Sequence, residues 1–275
     1  MIDDRLFKQF SDLFYTKTGI KLKDEKKYLL VNRLSKYIGS GRIASNYEDY
    51  YKKLVSGKDP EMMITFVNAL TTNYSFFFRE NIHFEFLKWY LNHIDGKETD
   101  LRIWSAACSS GEEPYSISIS CNEHLSTINS SGLKILGTDI STRVLDLAKQ
   151  GTYSYEKNKE ILDKNIIRKY FTVDDTNNTI TVKDNIKKFV HLKSLNLLGN
   201  YPFKFKFNVV FLRNVLIYFN SEEKELILNK IYKVIKNGGY LVLGHAESLI
   251  GLNTPYKQLK YSVYKKIESK DKEWH

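Results

Sequence analysis

The residues best suited to chemistry lie in one run, Leu101 to Ser118, which reads LRIWSAACSSGEEPYSIS. From Ser105 to Gly111 no side chain is larger than that of Cys, so another molecule can approach the backbone, and Gly111 can take the positive φ of a sharp turn. A phosphate cradle would carry free N–H groups and a Gly-Lys-Ser/Thr ending; here Glu112 and Glu113 follow instead, which points to a cationic or hydroxyl-bearing ligand. The same small residues also serve plain strand-to-helix packing, and the turn alone does not separate the two uses. A further acid, Asp139, closes the apolar run LKILGTDI, where a carboxylate can accept from ribose hydroxyls or cap a helix. The segment LTTNYSFFFRE sets Thr71, Thr72, Asn73, Ser75 and Arg79 beside three consecutive Phe residues. Core packing accounts for the Phe run, whereas buried Asn and Arg side chains need partners.

Other chemistries are disfavoured. Only Cys108 and Cys121 are present, without a CxxC pair, which suits neither a disulfide framework nor a zinc site and points to a reducing, cytoplasmic setting. The six histidines stand singly along the chain, so no metal centre is expected. His245, at a strand end with no acid at helical spacing, reads as a residue that satisfies a backbone partner. The net charge of +10 favours an anionic partner, whether nucleic acid, acidic membrane or acidic protein, without choosing among them. MIDDRLFKQF has no apolar signal core, and no run approaches a membrane span.

Elements must position these residues. Residues 1 to about 95 read as helices: Leu6, Phe7, Phe10, Leu13 and Phe14 recur at helical spacing, as do Tyr28, Leu30, Leu34, Tyr37 and Ile38. Thr18-Gly19-Ile20 is a helix stop, and further helices are expected over about 46–55 and 60–70. The second segment carries Lys26, Lys27, Arg33 and Lys36, a basic face whose plainest use is solvation. From about 100 the pattern becomes alternation. Strand Leu101–Ser105 leads to a helix over Pro114–His124, then strand 133–140 to a helix over 141–150. Residues 152–190 interrupt with a charged helix and a hairpin, TVDDTNNTITV. A strong strand is expected over 207–219, followed by a helix with an Asn220/Glu223 capping box that ends at Gly238-Gly239. Strand YLVLGHAE and a terminal antiparallel pair over about 258–266 complete the sheet. With no GxGxxG and no Walker lysine, this order suits the fold that binds S-adenosylmethionine, with Asp139 on the ribose and the 105–111 turn near the methionine moiety.

NALTTNYSFFFRE, IWSAACSSGEEPYSIS, LGTDIS, LNLL, FLRNVLIYF and LVLGHAES, in this order and spacing, resemble the chemotaxis-receptor glutamate O-methyltransferases, the CheR family. The resemblance covers about residue 5 to 266. It implies a Rossmann-like methyltransferase fold with a seven-stranded, mostly parallel sheet, an N-terminal all-helical receptor-recognition domain over 1–80, and a catalytic domain over 81–275 carrying the small antiparallel insertion. It implies S-adenosylmethionine as cofactor, S-adenosylhomocysteine as product and no metal. The implied partner is the cytoplasmic helical domain of chemoreceptors, whose glutamates become methyl esters, with neither nucleic acid nor membrane insertion involved.

Cofactor contacts are expected from Asn73, Ser75, Arg79, Glu113, Asp139, Asn196, Leu197, Arg213 and Asn214, with Glu113 meeting the cofactor ammonium. Ser75 stands where the family usually has Thr, and Asn208 where Asp is usual. Arg79 and Tyr218 are expected to border the transferring methyl group, Tyr218 having core packing as its other use, and Arg213 to anchor a carboxylate. Lys26, Arg33 and Lys36 become candidate contacts to acidic receptor helices. Some family members grip a receptor C-terminal pentapeptide through a glycine-bearing loop of the insertion; Val173 to Thr179 has no glycine, so tight pentapeptide binding is not expected. The rivals are a nucleic-acid methyltransferase on the same fold, which lacks its Asn/Asp-Pro-Pro-aromatic signature here, and a non-catalytic receptor-binding module.

Overall fold

The structure of the chain, a computed structural model, describes residues 2–94, 100–125 and 132–267. It divides into two compact units, Met1–Thr72 with Ile140–Arg143, and Asn73–Asp139 with Val144–His275.

The first unit is helical: α1 (Asp4–Thr18), α2 (Lys27–Leu34), α3 (Tyr47–Val55) and α4 (Pro60–Leu70). Their starts follow capping chemistry, since Asp3, Asn46 and Asp59 each accept a backbone N–H from the first turn of α1, α3 and α4. Gly19 ends α1 at φ 74°, which makes Thr18-Gly19 the expected stop. Phe10, Phe14, Leu30, Tyr50 and Phe66, all fully buried, form its core.

The second unit begins with α5 (Ile82–Ile94) and continues as β1 (Leu101–Ala106), α6 (Glu112–His124), β2 (Leu133–Asp139) and α7 (Thr142–Gln150). The insertion follows: β3 (Thr152–Ser154), α8 (Tyr155–Asn158), α9 (Lys164–Tyr170), β4 (Phe171–Asp174), β5 (Thr179–Val182) and α10 (Asp184–Lys187). β6 (Val190–Ser194), β7 (Phe207–Leu212), α11 (Ser221–Val234), β8 (Ile235–Leu243), β9 (Tyr256–Gln258) and β10 (Val263–Lys266) complete it. The sheet has seven strands in the order β6-β2-β1-β7-β8-β10-β9. The first five are parallel, and β10 and β9 are antiparallel. The insertion is a three-stranded antiparallel sheet, β3-β5-β4. β7 is buried at every position, as a central parallel strand must be.

Two expectations are corrected here. The strand expected over 207–219 ends at Leu212, because Asn214 takes φ 57° and the backbone N–H groups of 214–216 turn to a carboxylate; Leu216–Tyr218 is a 3₁₀ turn. The helix after it ends at Val234, before the glycines, and passes directly into β8. Gly238 and Gly239 lie inside that strand: a Cβ on Gly239 would sit 2.8 Å from the Asn208 carbonyl oxygen, where β7 and β8 shift register. The Asn220/Glu223 capping box is present with both bonds at 2.9 Å.

Candidate functional site

Strand order brings the carboxyl ends of β1, β2 and β7 side by side, and Glu112 and Glu113, Asp139 and Arg213 stand at or just beyond these three ends. After β1 the chain turns through left-handed residues at Ala107, Ser109 and Gly111. Cys108 N–H donates to the Thr138 carbonyl at 2.8 Å, and Ser109 N–H donates to Asp139 Oδ2 at 2.9 Å. Asp139 is buried and ties the turn to the end of β2, a structural use alongside any ligand use. The Ser109 hydroxyl, also buried, has no partner. Gly111 answers packing as well as φ, since a Cβ there would meet the Ala148 Cβ at 2.7 Å. Burial pushes both cysteine thiols well up, so neither is a thiolate nucleophile.

The three Phe residues fan out in different directions. Phe77 is fully buried, edge-on to Tyr153 and Phe171 of the insertion, with ring centres 4.9 and 5.2 Å away. Phe78, at φ 52°, packs on Phe84. Phe76 stays at the surface side with Tyr74, and the Arg79 guanidinium lies over both rings at 5.6 and 5.9 Å while donating to the Tyr74 carbonyl. Ser75 donates to Glu112. Glu112, the first residue of α6, is buried, accepts from its own backbone N–H and from the Ser75 and Ser110 hydroxyls, and its carboxyl is pushed above the ordinary range by burial.

Arg213 is the centre of the site. Its side chain is 2% exposed. Nη1 donates to Glu113 Oε2 at 2.8 Å; Nη2 donates to the Arg79 carbonyl and to Glu80 Oε2, the latter at 3.2 Å. Glu113 accepts from Ser105 Oγ at 2.6 Å on its other oxygen. Arg213 was expected to anchor a ligand carboxylate, and the structure commits both of its terminal nitrogens to the chain itself, with only Nε unpartnered. Two acids that sequence reasoning passed over hold the same corner. Glu80 accepts from Asn214 Nδ2, Arg213 and His245 N–H; burial would raise its pKa, and these bonds and the Arg213 charge hold it below the ordinary value. Glu247, 6% exposed, accepts four backbone N–H groups, from Asn214, Val215, Leu216 and Gly244, at 2.7 to 2.9 Å. A Cβ on Gly244 would lie 2.5 Å from Asn214 Nδ2, so the loop closes only over glycine. The signal for Glu247 was its position, an acid just past the apolar run of β8; for Glu80, its adjacency to Arg79.

Asn196 and Leu197 form a turn after β6: Asn196 Oδ1 accepts from Leu198 N–H, and Leu197 is buried. Tyr218 is half-buried in the 3₁₀ turn after β7. Lys26, Arg33 and Lys36 belong to the first unit. Arg33 there caps α4, donating to the Leu70 and Thr71 carbonyls at 2.9 and 2.8 Å, so it is a structural cation rather than only a surface one. Lys36 is exposed, its Nζ over the Tyr37 ring. His83 and His245, expected to stand singly, come together with ring centres 5.0 Å apart. An S-adenosylmethionine would find a fitting donor set beside this corner: the unpartnered Ser109 hydroxyl, the Asp139 carboxylate and Glu113.

Comparison with known proteins agrees over most of the chain. A family model described as "CheR methyltransferase, SAM binding domain" matches residues 73–265, and one described as "CheR methyltransferase, all-alpha domain" matches residues 5–71. The chain is 35% identical over 264 residues to a protein of Vibrio parahaemolyticus named chemotaxis protein methyltransferase, covering 94% of each. Proteins of the same name from Borreliella burgdorferi and Escherichia coli are 34% and 32% identical, covering 92% and 96% of this chain and 91% of each relative.

Proposed function

The chain belongs to the CheR methyltransferase family, and from that premise we propose that it methylates glutamate side chains on the cytoplasmic helices of chemoreceptors, giving glutamyl methyl esters. The observation that carries this reading is the corner at the carboxyl ends of β1, β2 and β7, where ligands of open sheets bind. There Arg213 braces Glu113 and Glu80 while the Ser109 hydroxyl lacks a partner.

S-adenosylmethionine supplies an electrophilic methyl group on a sulfonium. Asp139 and Ser109 would hold its ribose end, and Asn73, Ser75, Glu113, Asn196, Leu197 and Asn214 the remainder, with Glu113 facing the ammonium. An acceptor glutamate, with an unperturbed pKa of about 4.3, is already ionised at neutral pH, so the site needs no general base. This suits a site whose histidine His83 is held neutral, its pKa lowered to about 4 by burial and by the Arg213 charge. What remains for the protein is alignment and exclusion of water, and alignment alone is worth roughly 7–11 kcal/mol. Arg79 and Tyr218 would orient the acceptor. Arg79 should do so loosely, since a tight Arg–carboxylate pair would stabilise the ground state. Arg213, both of its terminal nitrogens already committed, acts by fixing the Arg79 backbone and Glu113.

Lys26 and Lys36 on the first unit would meet acidic receptor helices, making the reaction salt-sensitive. The turn of the insertion forms without glycine, with Asn178 at φ 52° and Asp174 accepting from Thr176 and Asn177 N–H, so tight binding of a receptor C-terminal pentapeptide is not part of the proposal. The reaction is assigned to the cytoplasm, in keeping with two free cysteines.

Labelled S-adenosylmethionine, a receptor cytoplasmic fragment and its Glu→Ala variants test this, with RNA and DNA as parallel acceptors. Base-labile label on the receptor, lost in particular Glu→Ala variants, is expected; label on nucleic acid, or none on the receptor, overturns it.

A further inference from the structure

Glu80, His83 and His245 offer three ligand atoms that all lie within 4.8 Å of one another. His83 is fully buried at the start of α5. Its Nε2 is 2.9 Å from the Tyr261 carbonyl oxygen, which can only accept, so Nε2 carries the proton and Nδ1 presents a lone pair. That Nδ1 has no hydrogen-bond partner, and Glu80 Oε2, another acceptor, lies 3.4 Å away. The unpartnered Nδ1 lone pair thus faces, in a largely buried place, a carboxylate oxygen that accepts from Arg213 and the His245 N–H, with no proton to share between the two, an arrangement that a cation shared by Nδ1 and a Glu80 oxygen would satisfy. The His245 ring, edge-on to His83 and exposed, closes the third side and leaves the group open to solvent there.

We infer that Glu80, His83 and His245 form a binding site for one borderline divalent cation of the Zn²⁺ class, held by His83 Nδ1, a Glu80 oxygen and a His245 ring nitrogen. Two imidazoles and a carboxylate are the donor set of zinc, cobalt and nickel rather than of magnesium or calcium, which prefer oxygen ligands. Tetrahedral zinc places its ligands about 3.3 Å apart, given metal–ligand lengths of about 2.0–2.1 Å. The His83–Glu80 separation already matches, and His245, free at the surface to turn, supplies the closing movement. The neighbouring Arg213 charge stays offset, because Glu113 holds its other terminal nitrogen.

Occupancy has a consequence that rests on the proposed function. Glu80 is also the carboxylate that orients Asn214 and Arg213, so a metal drawing on it loosens both and lowers affinity for S-adenosylmethionine. The site is therefore inhibitory.

The test uses the full chain, stripped with chelator, and the metal alone: Zn²⁺ by calorimetry and Co²⁺ by its visible absorption. One equivalent is expected to bind with micromolar or tighter affinity, weakened at least about 10-fold by His245→Ala, a surface change that leaves folding intact, and by Glu80→Gln. Absence of saturable binding overturns the site, as would a His83 carrying both ring protons. Binding unchanged in His245→Ala also overturns it, because the metal would then sit on other histidines. Cofactor affinity measured with and without Zn²⁺ reads the second half: a severalfold loss in wild type, absent in His245→Ala, supports inhibition, and an unmoved affinity overturns it. Metal-free protein that fails to bind S-adenosylmethionine would instead refute the proposed function and leave the metal site standing.

Discussion

Arg213 and Lys36 carry the same charge under opposite conditions. Arg213 is buried between Glu113 and Glu80, its terminal nitrogens spent on side chains and a backbone carbonyl. Lys36 stands exposed on the helical unit, its Nζ 4.9 Å from the centre of the Tyr37 ring. A charge taken out of water persists only with partners in good geometry, so the buried guanidinium ties the groups around it to fixed positions. A solvated charge fixes nothing and acts at a distance, through attraction that salt screens. The molecule thus separates two tasks that one cationic surface would confuse: holding a reacting group, and attracting an acidic partner.

The sharpest way to break this contrast is to remove both cations. Arg213→Met leaves two partly buried carboxylates without their counter-charge and is expected to cost about 3 kcal/mol in urea unfolding. Lys36→Met should stay within about 0.5 kcal/mol of wild type. Equal midpoints for the two variants would mean that the Glu80 and Glu113 carboxylates are hydrated and the corner is not a brace.

Arg79 lies between these extremes, its backbone carbonyl in the brace and its guanidinium over Tyr74 and Phe76 at the surface side. Arg79→Ala should therefore keep the unfolding midpoint near wild type and lower kcat on the order of 100-fold, the scale of a misplaced reactant. Wild-type methylation with unchanged cofactor affinity would remove Arg79 from the site.

These distinctions were only partly legible in the sequence. Most strands of the sheet, the helical first unit and the insertion follow from periodicity, because burial on one or two faces leaves a local imprint on side-chain type, whereas the count of seven strands came with the family resemblance and the short β6 left no such imprint. Asp139 and Glu113 were legible for the same reason, each sitting at the end of an apolar strand or the start of a helix. Glu80 and Glu247 were not, because what makes them matter is contact with residues more than thirty positions away, as in the bonds from Asn214 to both. Arg33 misled in the other direction: it sits on a basic face, yet it caps α4 through carbonyls of Leu70 and Thr71. The strand drawn through Arg213 failed at Asn214, where a left-handed residue is set by a carboxylate that joins the loop from beyond β8.

Within the first unit the same contrast recurs on a smaller scale. Arg33→Met removes a charged donor from the end of α4 and should cost about 1.5–3 kcal/mol, whereas Lys26→Glu with Lys36→Glu should leave stability unchanged. The double Glu variant should instead raise KM for the receptor fragment severalfold with kcat little changed, and flatten the salt dependence. A KM that does not move returns Lys26 and Lys36 to plain solvation.

The smallest effect concerns two neighbouring acids. Glu113 faces a guanidinium, while Glu112 is buried with only hydroxyl groups and its own helix N-terminus for company. Desolvation therefore raises the Glu112 pKa above that of the unfolded chain, and the folded state binds the extra proton. Stability from this group is full below the unfolded value of about 4.3 and is lost as pH rises through the folded one. Glu112→Gln keeps an acceptor for Ser75 and Ser110 and does not titrate. Its stability relative to wild type should thus climb as pH rises above about 4 and level off once the folded carboxyl has ionised, as read from unfolding midpoints across the neutral and acid range. A gap that stays flat, or that closes with rising pH, would mean that hydrogen bonds to the anion outweigh burial at Glu112, and that a buried acid at this turn is content without a cation.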